Sequence, residues 1–295
     1  MYKKIISLFI IIVILYILLI YIKGIILYHP LPALPGKYNR FFEKIIKLTE
    51  SRDHVSNVMI KTIDNILLDT IHIVNPNTTK YIIFFHGNAG NLSMRFDMIK
   101  FLYNYASIII FDYRSFGRST GDSSSLSSFG LHKDADAVWK FVTENLGISA
   151  NNVSLFGESL GCSVAVYLAL KLSECMDNKF YPHSLILNAP FLSLSSMIMS
   201  TFNKFNLGFL GKIISLFIGR EYQSDEWIKF INHKTRIIIA HSPRDEIIPY
   251  KEGWNLYRSI AEIHSNVKFI NISGTHNNLG LTDNYIYTLA DLFNE

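Results

Sequence analysis

The stretch FGESLGC (156–162) sets one serine, Ser159, between two glycines, each two residues away. A short β-type run (152–156) precedes it, and an apolar run that reads as a buried helix (163–170) follows. A serine on a strand-to-helix turn has its hydroxyl lifted clear of the backbone. The flanking Gly157 and Gly161 relieve the crowding that so sharp a turn creates. A hydroxyl is a weak nucleophile until a base takes its proton. His276, in GTHNN (274–278), is the candidate base. Asp245, in SPRDEIIP (242–249), is the candidate acid that holds the imidazole in the right tautomer and stabilises its cation. Attack on a carbonyl builds negative charge on its oxygen, and donors must already be in place there. The N–H of Leu160 and the N–H of Asn88, on the loop after His86-Gly87, are the candidates. The chemistry is cleavage of an ester or thioester through an acyl-serine, and it calls for no metal or cofactor.

Residues so far apart need a scaffold. Short apolar runs at 81–85, 107–111, 153–156, 184–187, 236–240 and 267–270 alternate with helix-length segments near 92–104, 127–146, 160–173, 252–261 and 282–293. That alternation predicts a mostly parallel sheet covered by helices on both faces. Runs at 55–62 and 66–74 flank Asp64-Asn65 and predict a hairpin. In open α/β sheets, function gathers beyond the carboxyl ends of the strands. Serine, acid and histidine fall at successive strand ends, in that chain order. The segment 191–233 has no clear strand and is expected as a helical insertion.

Competing assignments exist at each position. Ser159 alone fits a helix N-cap, although a cap does not need both glycines. Glu246 adjoins Asp245. His276 competes with His241, which begins the acid loop, with His86, which fits a loop-fixing role, and with His264, at the wrong end of the sheet. Asp112 and Arg114 read as a structural charge pair under the site, and Glu158 as a residue facing it. Met197, Met199, Phe202, Phe205, Leu207, Phe209 and Leu210 make the insertion apolar, fit either to line an acyl pocket or to pack on the core or a membrane.

Nearly half of the 295 residues are apolar and 18% are charged, enough for one large core and unlike a disordered chain. The net charge of +4 is spread out, with no basic run interleaved with aromatics, so nucleic acid is excluded as the expected partner. Cys162 and Cys175 have no metal-ligand spacing and read as small buried side chains. At the N-terminus, 5–22 carries no charge, and apolar character continues to Tyr28 after Lys23. A span needs about 20 such residues. The run is longer than a signal-peptide core and is not followed by small residues, so an uncleaved single-pass anchor in the lipid bilayer is expected. Lys3 and Lys4 favour a cytoplasmic N-terminus, while Lys23, Lys37 and Arg40 pull the other way. The first arrangement puts the catalytic domain on the lumenal or extracellular side, where sequons at Asn77, Asn91, Asn152 and Asn271 would be available. The expected organisation is an anchor (1–28), a proline-marked linker (29–50) and a catalytic domain (51–295).

FHGNAGN (85–91), FDYRSFGRSTG (111–121), GESLG (157–161), SPRDEIIP and GTHNN together resemble the α/β-hydrolase superfamily. Within it the chain is most similar to the membrane-anchored branch typified by alpha/beta hydrolase domain-containing protein 13. The likeness runs over roughly 25–295, including the YHP segment at 28–30. It implies an α/β-hydrolase fold and a serine hydrolase with Ser159, Asp245 and His276 as its triad. Related branches include enzymes that remove palmitoyl groups from proteins, and lipid esterases. Ser115, Cys162 and Asn278 depart from the family's usual Gly, Gly or Ala, and Asp, and none is in the triad. The alternatives are a serine peptidase or amidase, and a non-catalytic membrane-tethered binding protein on the same scaffold.

Overall fold

The computed structural model describes residue 6 and residues 28–174, 181–218 and 220–294. The expected anchor thus lies outside the described residues except at its residue 6 and at Tyr28. Among the described residues no helix is long and apolar enough to cross a membrane.

Eight strands form one sheet: β1 (Val55–Lys61), β2 (Leu67–Ile73), β3 (Tyr81–Phe85), β4 (Ser107–Phe111), β5 (Val153–Glu158), β6 (Ser184–Asn188), β7 (Arg236–His241) and β8 (Val267–Asn271). Their order is β8-β7-β6-β5-β3-β4-β2-β1. β1 and β2 pair antiparallel, as do β2 and β4, and the remaining neighbours run parallel. The turn between β1 and β2 holds Asn65 in the left-handed region at φ 66°, a conformation that asparagine tolerates better than most residues.

The central strands carry apolar residues on both faces because both are covered, with buried Ser107, Ser154, Ser184 and Asn188 as polar exceptions. Ile83, Phe85, Ile109, Phe111, Leu185 and Leu187 point into one core layer. Ile82, Phe84, Ile108, Ile110, Phe156 and Ile186 point into the other. The helices follow that division. The first layer is covered by α3 (Ser128–Lys140), α4 (Leu160–Glu174) and α7 (Tyr250–Arg258), through residues such as Leu131, Val164 and Leu256. The second is covered by α1 (Pro35–Thr49), α2 (Phe96–Leu102) and α8 (Asp283–Asn294), through Phe41, Ile99 and Leu289. Between β6 and β7 lie the insertion helices α5 (Leu194–Lys204) and α6 (Gly208–Ile218), followed by a single helical turn at Ser224–Trp227.

The expected linker differs most from the structure. His29 and Pro30 pair with Ala89 and Gly90 beside the His86 loop, and 35–49 is helix α1 with Tyr38, Phe41 and Ile45 buried. Of the prolines that suggested a linker, Pro30 and Pro32 pair with Gly90 and Gly117, and Pro35 starts the helix, in whose first turn no N–H is needed. The sequon at Asn91 is also closed: its side chain is buried and its Nδ2 donates to the Leu31 carbonyl.

Candidate active site

Four loops meet beyond the carboxyl ends of β3, β5, β7 and β8. On the first, Ser159 joins β5 to α4 with φ 53°. A left-handed non-glycine residue is costly, on the order of 1–2 kcal/mol. Here the flanks enforce it. A Cβ on Gly157 would come within 2.6 Å of the Cys162 Cα, and a Cβ on Gly161 would overlap the Phe85 carbonyl group at the end of β3. The Ser159 N–H donates to the Asn188 carbonyl at 2.9 Å, which ties the turn to β6.

Asp245 lies on the loop after β7. Its Oδ1 accepts the N–H groups of Ile247 (2.9 Å) and Ile248 (2.8 Å). Its Oδ2 lies 2.8 Å from His276 Nδ1. A carboxylate can only accept, so His276 carries a proton on Nδ1, and in the neutral ring Nε2 is the acceptor that faces outward. That Nε2 lies 3.2 Å from Ser159 Oγ. Burial alone would push the Asp245 carboxyl up. The hydrogen bonds from His241, His276 and the backbone outweigh it and hold the group well below the usual carboxylate range. The acid stays ionised beside the histidine whose cation it would stabilise.

The competing residues take other places. Glu246 Oε2 accepts the His276 backbone N–H at 3.0 Å, so it holds the loop rather than the ring. His86 is fully buried, its Nε2 3.4 Å from Asp112 Oδ1 and its Nδ1 2.7 Å from the Gly87 carbonyl. His264 sits near Asn232, before β8 begins. Asp112 and Arg114 do not pair. The Arg114 guanidinium instead bridges Asp134 (2.8 Å) and Asp64 (3.0 Å), which fastens α3 to the β1–β2 turn. Asp112 accepts the Leu92 N–H at 2.6 Å and so supports the loop that carries Asn88.

That loop runs against the serine: a Cβ on Gly87 would lie 3.5 Å from the Ser159 Cβ. Asn88 follows it, and its carbonyl accepts from the His29 N–H. Leu160 is the first residue of α4, where N–H groups have no acceptor within the helix. Both candidate oxyanion donors are thus brought to the nucleophile turn. Glu158 lies beside them, its Oε2 3.9 Å from Arg95 Nε. Burial pushes the Glu158 carboxyl up, and Arg95, His86 and His276 pull it partly back. Among the described residues no group of His, Cys, Asp and Glu could hold a metal.

One contributor went unread in the sequence. His241, the last residue of β7, is fully buried and its Nε2 lies 3.1 Å from the Ile248 carbonyl and 3.4 Å from Asp245 Oδ2. It grips both ends of the acid loop. Its four-residue spacing from Asp245 was the available signal. Of the insertion residues, Met197 packs on the core, whereas Met199 and Phe202 pack between α5 and α6 against Gly211. Phe205, Leu207, Phe209 and Leu210 point outward. A groove of about 330 Å³ lined by Ile237, Asn266, Lys268, Thr288 and Asp291 lies at the opposite end of the strands, away from Ser159.

The alpha/beta hydrolase fold model matches residues 80–295. Uncharacterized protein R595 of Acanthamoeba polyphaga mimivirus is 57% identical over 277 residues, covering 94% of each chain. The lysophosphatidylserine lipase ABHD12 of Gallus gallus is 31% identical over 226 residues; the match covers 72% of this chain and 55% of that lipase. Among solved structures, the Pyrococcus furiosus esterase Pf2001 superposes with a TM-score of 0.67 at 19% identity, over 91% of this chain and 97% of that one. With the family model spanning the chain from β3 to α8 and all four loops of the site, the chain belongs to the α/β-hydrolase fold family.

Proposed function

We propose that the chain is a serine hydrolase that cleaves carboxylic esters or thioesters of acylated substrates at a membrane. The observation that carries this reading is the line Asp245–His276–Ser159, at 2.8 and 3.2 Å. In the proposed reaction His276 Nε2 takes the Ser159 proton as Oγ attacks the substrate carbonyl. The imidazolium formed is held by ionised Asp245. The N–H groups of Asn88 and Leu160 receive the oxyanion. Collapse expels the alcohol or thiol, which takes its proton from His276. Water then enters and gives a proton to the same nitrogen as its oxygen attacks the acyl carbonyl; collapse breaks the bond to Ser159 Oγ, which takes that proton back, and the acid leaves.

Two features support an acylated, membrane-borne substrate. The run at 5–22 has the length and composition of a bilayer anchor. A relative at 31% identity is named as a lysophosphatidylserine lipase. An anchored domain meets substrates in its own membrane at high effective concentration.

The test is labelling with a fluorophosphonate, followed by kcat/KM across p-nitrophenyl esters from acetyl to palmitoyl kept below micelle formation. Labelling confined to Ser159, lost in Ser159→Ala, and kcat/KM rising above that of the acetyl ester are expected. Label that persists in Ser159→Ala would refute the assignment of the nucleophile, and a steady decline from acetyl upward would refute the acyl preference. Carbonate extraction of the full chain tests the anchor separately, and release into the soluble fraction would exclude it.

A further inference from the structure

Helix α6 is apolar on both sides and leaves one of them exposed. Gly211, Ile214, Ser215 and Ile218 are buried or half-buried, whereas Phe209, Ile213 and Leu216, spaced four and three apart, form an exposed stripe. Phe209 is 77% and Leu216 76% exposed. Leu210 flanks the stripe, and Phe205 and Leu207 extend it into the turn from α5. A surface helix in water turns such a stripe inward. Here α6 instead docks through Gly211, where an added Cβ would lie 2.8 Å from the Phe202 Cβ. An exposed apolar patch of this kind marks a surface with a partner.

Three observations select a lipid surface as that partner. Tyr28, the residue at which the N-terminal apolar run ends, has its hydroxyl 2.7 Å from the Tyr222 hydroxyl, and both side chains are buried. Tyr222 comes four residues after the end of α6. The N-terminal run therefore joins the domain at the base of the same insertion. The charges agree: 194–218 holds Lys204 and Lys212 and no Asp or Glu, while Arg220 beyond it is taken up by Glu226 at 2.8 Å. An apolar stripe with basic neighbours is the composition of a helix that lies in a membrane interface. Finally, Lys204 Nζ donates to the Glu246 carbonyl at 3.2 Å, and the Glu246 carboxylate accepts the His276 N–H. The patch thus begins next to the loop that carries Asp245.

We propose that α6 lies in the head-group region of the bilayer, with Phe209, Ile213 and Leu216 reaching the acyl chains. It is a second, monotopic contact that sets the catalytic domain's tilt and holds Ser159 at the surface. The inference builds on the anchored-hydrolase reading, and its test separates the two. Single cysteines replace Phe209, Leu216 or, at the opposite end of the strands, Thr288, in a full-length Cys175→Ser background; the buried Cys162 is kept. Each is labelled with an environment-sensitive fluorophore and reconstituted in phosphatidylcholine vesicles containing phosphatidylserine and an acyl-chain spin-labelled lipid. The expected result is a blue shift and loss of most emission at 209 and 216, and neither at 288. Vesicle-bound protein whose 209 and 216 labels stay unquenched overturns the proposal while leaving the anchor standing. A blue shift without lipid quenching, from cover by the chain's own N-terminal segment or by a second copy, overturns it too. A second variant, Phe209→Ser with Ile213→Ser and Leu216→Ser, is expected to lose about tenfold in hydrolysis of a vesicle-borne ester and to keep its rate on soluble p-nitrophenyl acetate. Equal rates on the vesicle-borne ester count against the proposal.

Discussion

Gly161 of α4 packs directly on the carbonyl of Phe85, the last residue of β3, with no room for a side chain between them. This contact lets the helix start immediately behind Ser159 and draws the nucleophile turn against the Asn88 loop. Gly161→Ala would force α4 away from β3 or leave a backbone clash. The atoms a Cβ would meet cannot swing aside, because all belong to the main chain of Phe85 and His86 at the end of β3. The expected outcome is a loss of about 1–3 kcal/mol of stability, as for overpacked cores, and at least a hundredfold loss in kcat. Urea denaturation and ester hydrolysis measure the two. A variant that keeps wild-type stability and rate would show that the contact is slack.

The acid can be identified by comparing two neighbours. Asp245→Asn removes the charge facing His276 and invites the wrong tautomer, so kcat should fall roughly a hundred- to ten-thousand-fold. Glu246→Gln keeps an oxygen that can accept the His276 N–H, so its kcat should stay within about threefold of wild type. His276→Ala should be nearly as damaging as Ser159→Ala, because the residues of such a unit do not act independently. The reverse ranking of the Asp245 and Glu246 variants would move the acid to Glu246.

His241 touches neither substrate nor Ser159, and its predicted role is to position the acid. It spans the Ile248 carbonyl and Asp245 Oδ2, and its ring packs so tightly against Gly253 that a Cβ there would collide with it. His241→Gln offers one donor in place of the ring. It should lower kcat about ten- to a hundredfold with KM nearly unchanged, since a small misplacement of the base costs rate rather than binding. A change confined to KM, or to stability alone, would argue against a positioning role.

Much of this was legible in the sequence because the scaffold repeats a simple pattern. Ile82 through Phe85 are apolar throughout, which a strand needs only when both faces are covered, and the serine, acid and histidine then fall at strand ends. What could not be read depends on tertiary contacts. Helix α1 lacks a side-chain cap and any acidic residue in its first turn, so its start carries only the proline signal. Its apolar spacing at Tyr38, Phe41 and Ile45 was there to be found. Arg114 lies two residues from Asp112 yet pairs with Asp134 and Asp64, partners that only the packing of α3 brings close. The outward face of α6 has the same origin: apolar spacing shows that a helix has a stripe, and not which way it turns.

His132 on α3 gives a prediction about pH. Its ring stacks on Tyr167 at 3.6 Å, with Tyr222 and Trp227 edge-on, and its Nε2 has no partner. Burial, with Lys171 adding to it, lowers its pKa from 6.5 to about 3. The unfolded chain then binds a proton at His132 that the folded chain refuses, so stability falls as the pH drops through 6.5 towards 3. Between about pH 7 and pH 5 this one residue should cost about 2 kcal/mol. Carboxylates such as Asp245, held low in the folded protein, contribute in the same direction but only below their unfolded value near 3.8. In the window above that, His132 is joined by His72 and His264, which burial also lowers, and is opposed by carboxyls that burial raises, Asp134 to about 6 among them, so only a comparison with a His132 variant isolates its share. His132→Gln cannot take up the proton, so its unfolding free energy should vary less between the two pH values than wild type's, by about 2 kcal/mol. Urea denaturation at both pH values gives the four numbers needed. Equal pH dependence in the two proteins would mean that the folded state accommodates a charged His132, and that the aromatic cage around it admits water.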